Sequence, residues 1–339
     1  MHATKSYNTQ TLLSNSLDEN KLALNEGKVS ILILYDFSLA FNSVDHTILL
    51  KILRSFGFDD GSIRFLHSYI SDRFPNIHNP NCTSKAWTCG VGHGTGPGPI
   101  LFNVVINLII IAFLYGIPHV FADDMQSVHH TFIHELDNCI FKINHDSDLL
   151  LKKAEDIGLK INPAKTQAII FVTNVKLRQL DFLNIPDIIF GDNVIPFSNN
   201  VKNLGLQMSL DLTWNEHVAK ITKKINRTLG FLWAKCTAIP FEFRKQLVSS
   251  LLFPDFHYCC VTFEDMSVLQ SKKLDRLFNR AIRFIFNLHR HRDTAPFITK
   301  LKWLTLPQRR KFFKLTLTFK ILKLHKPSYL YDKITSNEF

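Results

Sequence analysis

The sequence predicts an α+β protein, with a few strands before about residue 200 and amphipathic helices after it. Three observations lead to this prediction. An apolar, β-branched run ends on a single acid at residues 28–37, and a strand–turn–strand pattern covers residues 117–128. Beyond residue 200, apolar residues recur at helical spacing and alternate with Lys and Arg.

The first predicted strand is KVSILILYDF, residues 28–37. Its continuous aliphatic run is typical of a buried strand, which places the carboxylate of Asp36 at the strand's end. The next segment, residues 44–58, has apolar residues at helical spacing and closes on Gly57, so it predicts a helix with a glycine stop.

A glycine-rich segment, GVGHGTGPGP at residues 90–99, predicts irregular backbone that can approach another group closely. The eighteen residues that follow, 100–117, carry no charge. Their length alone would allow a short transmembrane helix. Asn103 and Asn107 lie about one helical turn apart on one face, which favours a buried core helix and no membrane association.

Residues 117–128, IPHVFADDMQSV, predict two strands joined by a tight turn that carries Asp123 and Asp124. Two acids at a turn are also what a solvated hairpin tip would have, so the pair alone does not define a site. A helix is predicted from about residue 134 to 158, and residues 158–172 predict a turn that leads into a strand.

The positive charge is concentrated in the C-terminal part. Residues 1–200 hold 15 Lys/Arg and 19 Asp/Glu, whereas residues 201–339 hold 25 Lys/Arg and 10 Asp/Glu. A basic surface of this kind suits a polyanion, although solvated basic helix faces would give the same count. We expect a boundary in the polar loop at about residues 196–202.

The composition argues against several other classes of protein. An apolar fraction of 46% and a charged fraction of 20% favour a folded chain over a disordered one. The six cysteines form no CxxC pair, and the N-terminus lacks the apolar core of a secretory signal. We therefore expect an intracellular protein of the nucleus or cytoplasm, not a secreted one, without a structural zinc or a small-molecule redox cofactor.

The acids become more informative when they are taken together. If the strands that carry Asp36 and the pair Asp123–Asp124 are neighbours, like charges lie close together, which is costly unless divalent cations neutralise them. Carboxylates without His or Cys partners favour Mg²⁺ or Mn²⁺. Two such ions would support phosphoryl transfer, and this chemistry matches the basic C-terminal part.

A series of motifs in this order resembles the reverse transcriptase of a non-LTR (LINE, jockey-like) retrotransposon. The matching segments are YDFSLAFNSVDH (35–46), GVGHGTGPGPILFNVVIN (90–107), FADD (121–124), GLKINPAKT (158–166) and VKNLGLQMSLDLTWNEHVAKITKKINRTLGFL (201–232). The resemblance implies a right-hand polymerase, with a palm of a small antiparallel sheet and helices, followed by a helical, thumb-like C-terminal region. Residues 1–200 would be partial fingers and palm, and residues 201–339 the basic thumb and C-terminal region.

The resemblance also implies roles for individual residues. Asp36, Asp123 and Asp124 would be the catalytic, metal-binding acids, holding two Mg²⁺ or Mn²⁺ ions. A second set would bind the nucleotide, with Phe37 offering its backbone carbonyl to a metal and Phe41 excluding a ribose 2′-hydroxyl. This nucleotide-binding set is Phe37, Phe41, His93, Gly94 and Lys165.

The implied function is RNA-directed DNA synthesis, with an RNA template, a DNA primer and deoxynucleoside triphosphates as partners. The glycine-rich segment departs from the family pattern, since Gly92 and His93 replace a proline and a glutamine. The chain is also expected to begin inside the polymerase, without the upstream fingers. The alternative is therefore a non-catalytic remnant of such an element that keeps residual nucleic-acid binding.

Overall fold

The protein forms two compact units. The computed structural model describes most of the chain, residues 7–71, 89–92, 94–180 and 184–336. Tyr7 and the described residues of Glu19–Asn199 form the first unit, and those of Asn8–Asp18 and Asn200–Phe339 form the second. The division lies beside the predicted boundary, while the identity of the units as palm and thumb stays a prediction.

The first unit is built on a four-stranded antiparallel sheet with the strand order β2-β3-β1-β4. Its strands are β1 (Val29–Asp36), β2 (Ile117–Phe121), β3 (Asp124–Thr131) and β4 (Gln167–Phe171). β1 is a central strand, and Ile31, Leu32 and Ile33 on its two faces are buried. A strand covered on both faces has a continuous apolar sequence, which is why β1 could be predicted.

Helices accompany this sheet, although the first of them, α1, belongs to the second unit as far as Asp18 and to the first unit after it. In chain order they are α1 (Thr9–Asn25), α2 (Ala40–Ser43), α3 (His46–Ser55), α4 (Asp60–Ile70), α5 (Gly98–Ile106), α6 (Leu136–Asp156) and α7 (Asn174–Leu177). Asp45 caps α3 by accepting a hydrogen bond from the Ile48 amide, and Gly57 follows that helix with a positive φ of 86°. Both features agree with the helix and the glycine stop that the sequence predicts.

The single core helix predicted over residues 100–117 is wrong. α5 ends at Ile106, a 3-10 helix covers Ile109–Ala112, and β2 begins at Ile117. The chain must turn here to enter the sheet, and a continuous helix would carry it past the edge. Among the described helices, none is both long enough and apolar enough to cross a bilayer.

Two small hairpins follow the sheet. They are made by β5 (Ile188–Phe190) with β6 (Asn193–Ile195), and by β7 (Asn200–Asn203) with β8 (Leu206–Ser209). The loop predicted at residues 196–202 is therefore only partly a loop. The two residues between β7 and β8, Leu204 and Gly205, both have positive φ, the backbone that a two-residue hairpin turn requires.

Apart from the β7–β8 hairpin, the described part of residues 200–339 in the second unit is mainly helical, as predicted. Its helices are α8 (Asn215–Trp233), α9 (Phe241–Leu251), α10 (Phe253–His257), α11 (Val268–Phe286), α12 (Ala295–Lys300), α13 (Leu306–Leu324) and α14 (Ser328–Thr335). α8 packs against α11 through buried positions at helical spacing, such as Ile225 and Leu229 on α8 and Phe278 and Ile282 on α11. The basic side chains are thereby left for the outer faces.

Candidate active site

Two of the predicted acids lie side by side on neighbouring strands of the four-stranded sheet. Asp36, the last residue of β1, is the register partner of Asp124, the first residue of β3. Asp36 is half-buried, while Asp123 and Asp124 are exposed. Asp124 thus belongs to a strand, and only Ala122 and Asp123 form the turn that was expected to hold both acids. Ala122 has a φ of 54°, an uncommon backbone for a residue with a side chain.

The carboxylate of Asp36 has one unsatisfied oxygen. Its Oδ2 is inaccessible to solvent and has no hydrogen-bond partner among the described residues. The ammonium Nζ of Lys165 lies 3.4 Å from this oxygen, and the Lys165 side chain is 67% exposed. An ion pair at this distance and exposure is weak, so a second cation could replace Lys165 at small cost.

Lys165 reaches Asp36 because the chain after α6 pairs with the residues that follow β1. The Asn162 amide donates to the Asp36 carbonyl at 2.7 Å, and the Ser38 amide donates to the Lys160 carbonyl at 2.7 Å. Phe37, a buried residue, forms a bridge with Ile161 between these two bonds. The short 3-10 helix Pro163–Lys165 then carries the lysine to the end of β1.

Phe41 lies beside the helix that follows the glycine-rich segment. Its ring stacks on Phe102 of α5, with ring centroids 4.2 Å apart and planes 20° from parallel. The Val91 amide donates to the Phe41 carbonyl, and the Gly90 amide donates to the Val44 carbonyl. These bonds hold Phe41 against the start of the glycine-rich segment.

The glycine-rich segment is closely packed at both of its ends. Gly90 has a φ of 96° and lies against the backbone of Asn42, and a Cβ at Gly98 would collide with the Gly92 carbonyl. Thr95 Oγ1 donates to that same carbonyl at 2.7 Å. Gly94 is exposed with a φ of 73°, and His93 lies outside the described residues. The segment therefore needs glycine at several places for backbone reasons.

A buried polar cluster, which the sequence analysis missed, lies behind the acids. Asp146 of α6 is fully buried and accepts hydrogen bonds from the backbone amides of residues 114–116, just before β2. Ser127 Oγ on β3 lies 3.2 Å from the hydroxyl of Tyr35 on β1 and 3.2 Å from Nε2 of His129. These contacts fix the strands that carry Asp36 and Asp124.

Burial shifts the pKa values within this cluster. It lowers the pKa of His129 to about 4 and raises the pKa of Tyr35 to about 12, because both side chains lose the water that would solvate their charged forms. Both groups are therefore uncharged near neutral pH. Gly116 leaves room for His129, since a Cβ there would collide with the imidazole ring.

The acids suit a divalent metal by their chemistry. The unsatisfied Oδ2 of Asp36 and the facing carboxylate of Asp124 are hard oxygen donors, which Mg²⁺ and Mn²⁺ prefer. Over the described ranges, no three His, Cys, Asp or Glu side chains converge in a cluster that could hold a metal. The structure therefore brings two of the three predicted ligands into register and leaves Asp123 at the adjoining turn.

Comparison with known proteins gives a family match over the region of this site. A family model described as "Reverse transcriptase (RNA-dependent DNA polymerase)" matches residues 3–208. This range includes all of the predicted site residues and ends just before α8.

One curated relative and two solved structures are also similar to the chain. The retrovirus-related Pol polyprotein from type-1 retrotransposable element R2 of Popillia japonica is 35% identical over 92 residues, which are 26% of this chain and only 15% of that polyprotein. Telomerase from Candida albicans, solved with the TWJ fragment of telomeric RNA, matches with a TM-score of 0.42 and 13% identity over 87% of this chain and 49% of that one. Telomerase from Candida tropicalis, solved with the same type of fragment, matches with a TM-score of 0.45 and 14% identity. This match covers 91% of this chain and 45% of that one.

Proposed function

The chain belongs to the reverse transcriptase family, and on this premise we propose that it is an RNA-directed DNA polymerase that extends the 3′-hydroxyl of a primer. Its fold is that of a right-hand polymerase, with the four-stranded sheet as the centre of the palm. The observation that carries the proposal is the register of Asp36 with Asp124, which sets two carboxylates side by side at one end of the two central strands.

In this proposal Asp36, Asp123 and Asp124 are the residues that would hold two Mg²⁺ or Mn²⁺ ions. When bound, such ions lower the pKa of the attacking 3′-hydroxyl and neutralise the departing pyrophosphate. The acids hold and orient the reacting groups. The hydrogen bonds of the buried Asp146 and Tyr35 keep the strands of the sheet that carries these acids in place. Phe37 supplies a backbone carbonyl beside Asp36.

The nucleotide is positioned by residues around this end of the sheet. Phe41, held on Phe102, presents its ring toward the sugar and excludes a 2′-hydroxyl, so deoxynucleotides are preferred. Lys165, at 3.4 Å from Asp36, contacts the triphosphate, and the backbone of His93 and Gly94 in the glycine-rich segment supports the base pair. The basic second unit serves as the thumb and neutralises the phosphates of the RNA template and DNA primer.

Primer extension on an RNA template tests this function. The chain is incubated with a primer, deoxynucleoside triphosphates and Mg²⁺ or Mn²⁺, and Asp36→Asn is compared with Asp60→Asn, an acid in the first turn of α4. We expect extension by the wild type and by Asp60→Asn, and none by Asp36→Asn. Extension that persists in Asp36→Asn would reject the proposed chemistry.

A second candidate function is nucleic-acid binding without catalysis. It is favoured by the altered glycine-rich segment and by the observation that only two of the acids are in register. In that case no template or metal would give extension, while RNA would still bind in a salt-sensitive manner. The same assay, combined with RNA binding at two salt concentrations, separates the two functions.

A further inference from the structure

One face of α13 exposes four large apolar side chains in a row. Phe312, Leu315, Phe319 and Leu322 are 56%, 60%, 63% and 41% exposed. Their spacing of three, four and three residues places them on one stripe of the helix surface. We call these four residues the α13 stripe. It lies outside residues 3–208, the range that matches the reverse transcriptase family.

The opposite face of α13 is already used for packing within the second unit. Leu306 and Ile321 are buried, and the guanidinium of Arg309 lies 4.2 Å from the centroid of the Phe253 ring. Arg310 donates to the hydroxyl of Ser271 at 2.8 Å. The helix therefore does not need the α13 stripe in order to hold its position, and the stripe is free to contact something else.

The charges of α13 are of a single sign. The helix carries six Lys or Arg residues and no Asp or Glu. By helical spacing, Lys311 lies on one side of the α13 stripe and Lys323 on the other, and both are exposed. In paired helices such flanking positions contact the partner and select it by charge.

From this pattern we propose that the α13 stripe is a docking surface for an acidic amphipathic helix of a partner protein. Leu or Phe side chains of the partner would cover the stripe, and its Glu or Asp residues would pair with the flanking lysines. A second copy of α13 does not fit, because it would bring lysine against lysine. A nucleic acid would pair with the lysines but leave the Leu side chains of the stripe uncovered.

The test uses a synthetic helix of about 21 residues with Leu at the core positions and Glu at the flanking positions of three heptads. Its binding to the whole chain is measured by fluorescence anisotropy. We expect saturable binding, weakened roughly tenfold or more by the double substitution Leu315→Ser/Phe319→Ser, because the central apolar contacts are lost. A peptide with Lys in place of Glu should bind weakly or not at all.

Two further variants control this measurement. Phe243→Ser removes a phenylalanine of α9 that is 61% exposed, close to the exposure of Phe319, and should leave binding unchanged. Lys311→Gln/Lys323→Gln keeps the apolar surface and should weaken only the acidic peptide, with a smaller dependence on salt. Circular dichroism checks that each variant keeps its helical content.

Four results would overturn the proposal. The first three are equal affinity for a scrambled peptide of the same composition, unchanged affinity in the folded double variant, and concentration-dependent dimers that the double variant abolishes. If the double variant instead loses affinity for a single-stranded RNA oligonucleotide and the peptide never binds, the surface serves nucleic acid and the proposal is rejected. None of these outcomes depends on polymerase activity.

Discussion

The ammonium group of Lys165 lies 3.4 Å from Oδ2 of Asp36, the carboxylate oxygen that has no hydrogen-bond partner in the described chain. A cation of the protein thus already lies beside the first proposed metal ligand. Because a divalent ion and an ammonium would compete for this oxygen, the pair should affect metal binding even before a nucleotide is present.

Replacing Lys165 with Met should therefore increase the affinity for Mn²⁺ in the absence of nucleotide. An exposed ion pair contributes roughly 0.2–1 kcal/mol, so the expected increase is below about fivefold. Electron paramagnetic resonance of Mn²⁺ measures the free ion directly. Lys160→Met, at another exposed lysine of the same loop, is the control, and equal affinities of the two variants would show that Lys165 does not compete.

Phe41→Ala should reduce discrimination against ribonucleotides. The substitution removes the ring that stacks on Phe102 and that is proposed to exclude the 2′-hydroxyl. We expect the ratio of kcat/KM for deoxynucleotides to that for ribonucleotides to fall roughly tenfold or more, while Phe41→Tyr keeps it. Phe141→Ala, at an exposed position of α6, should leave the ratio unchanged. An unchanged ratio in Phe41→Ala would remove Phe41 from sugar recognition.

Asp146→Ala should destabilise the first unit. The fully buried carboxylate accepts bonds from three consecutive backbone amides, and without it these donors stay unsatisfied. We expect a loss of about 1–3 kcal/mol or more in the free energy of unfolding by urea. Asp148→Ala, an exposed acid two residues further along α6, should change it by less than about 0.5 kcal/mol. Similar losses in both variants would contradict the role given to the buried acid.

Stability should fall as the pH is lowered from about 6.5 toward 4. Burial lowers the pKa of His129 to about 4, whereas an unfolded histidine titrates near 6.5, so the unfolded chain takes up the proton first. Between pH 7 and 5 this residue should contribute a loss of up to about 2 kcal/mol in the free energy of unfolding.

Urea unfolding at the two pH values checks this expectation. His129→Gln should show a smaller difference between pH 7 and 5 than the wild type, since its side chain cannot titrate. His67→Gln, which replaces an exposed histidine of α4, should keep the wild-type difference. If the two variants respond to pH alike, His129 is not a source of the acid sensitivity.

The parts of the fold that could be predicted are those with a long, regular pattern. β1 and the hairpin of β2 and β3 could be recognised because burial continues over several residues of each. The acids lie at the ends of these strands, so their positions could be predicted as well. The order of motifs then indicated the reverse transcriptase family, which the family match confirms. α8, α9 and α11 were predicted from their amphipathic pattern.

The remaining parts depend on contacts that a linear pattern does not contain. The strands β5 to β8 have three or four residues each, too few for a clear alternation. The end of α5 is set by the need to enter β2, and nothing in its uncharged sequence marks it. Nothing in the linear pattern of α6 marks Asp146 as a buried acid, because its partners are backbone amides some thirty residues away.

The most direct test of the account is whether the facing acids hold a divalent ion that supports synthesis. Mn²⁺ binding and primer extension are measured together on an RNA template with bound primer, for the wild type, Asp124→Asn and the control Asp137→Asn at the start of α6. We expect that, of these three proteins, only Asp124→Asn loses both bound Mn²⁺ and extension. Retention of Mn²⁺ binding and extension in Asp124→Asn would contradict it.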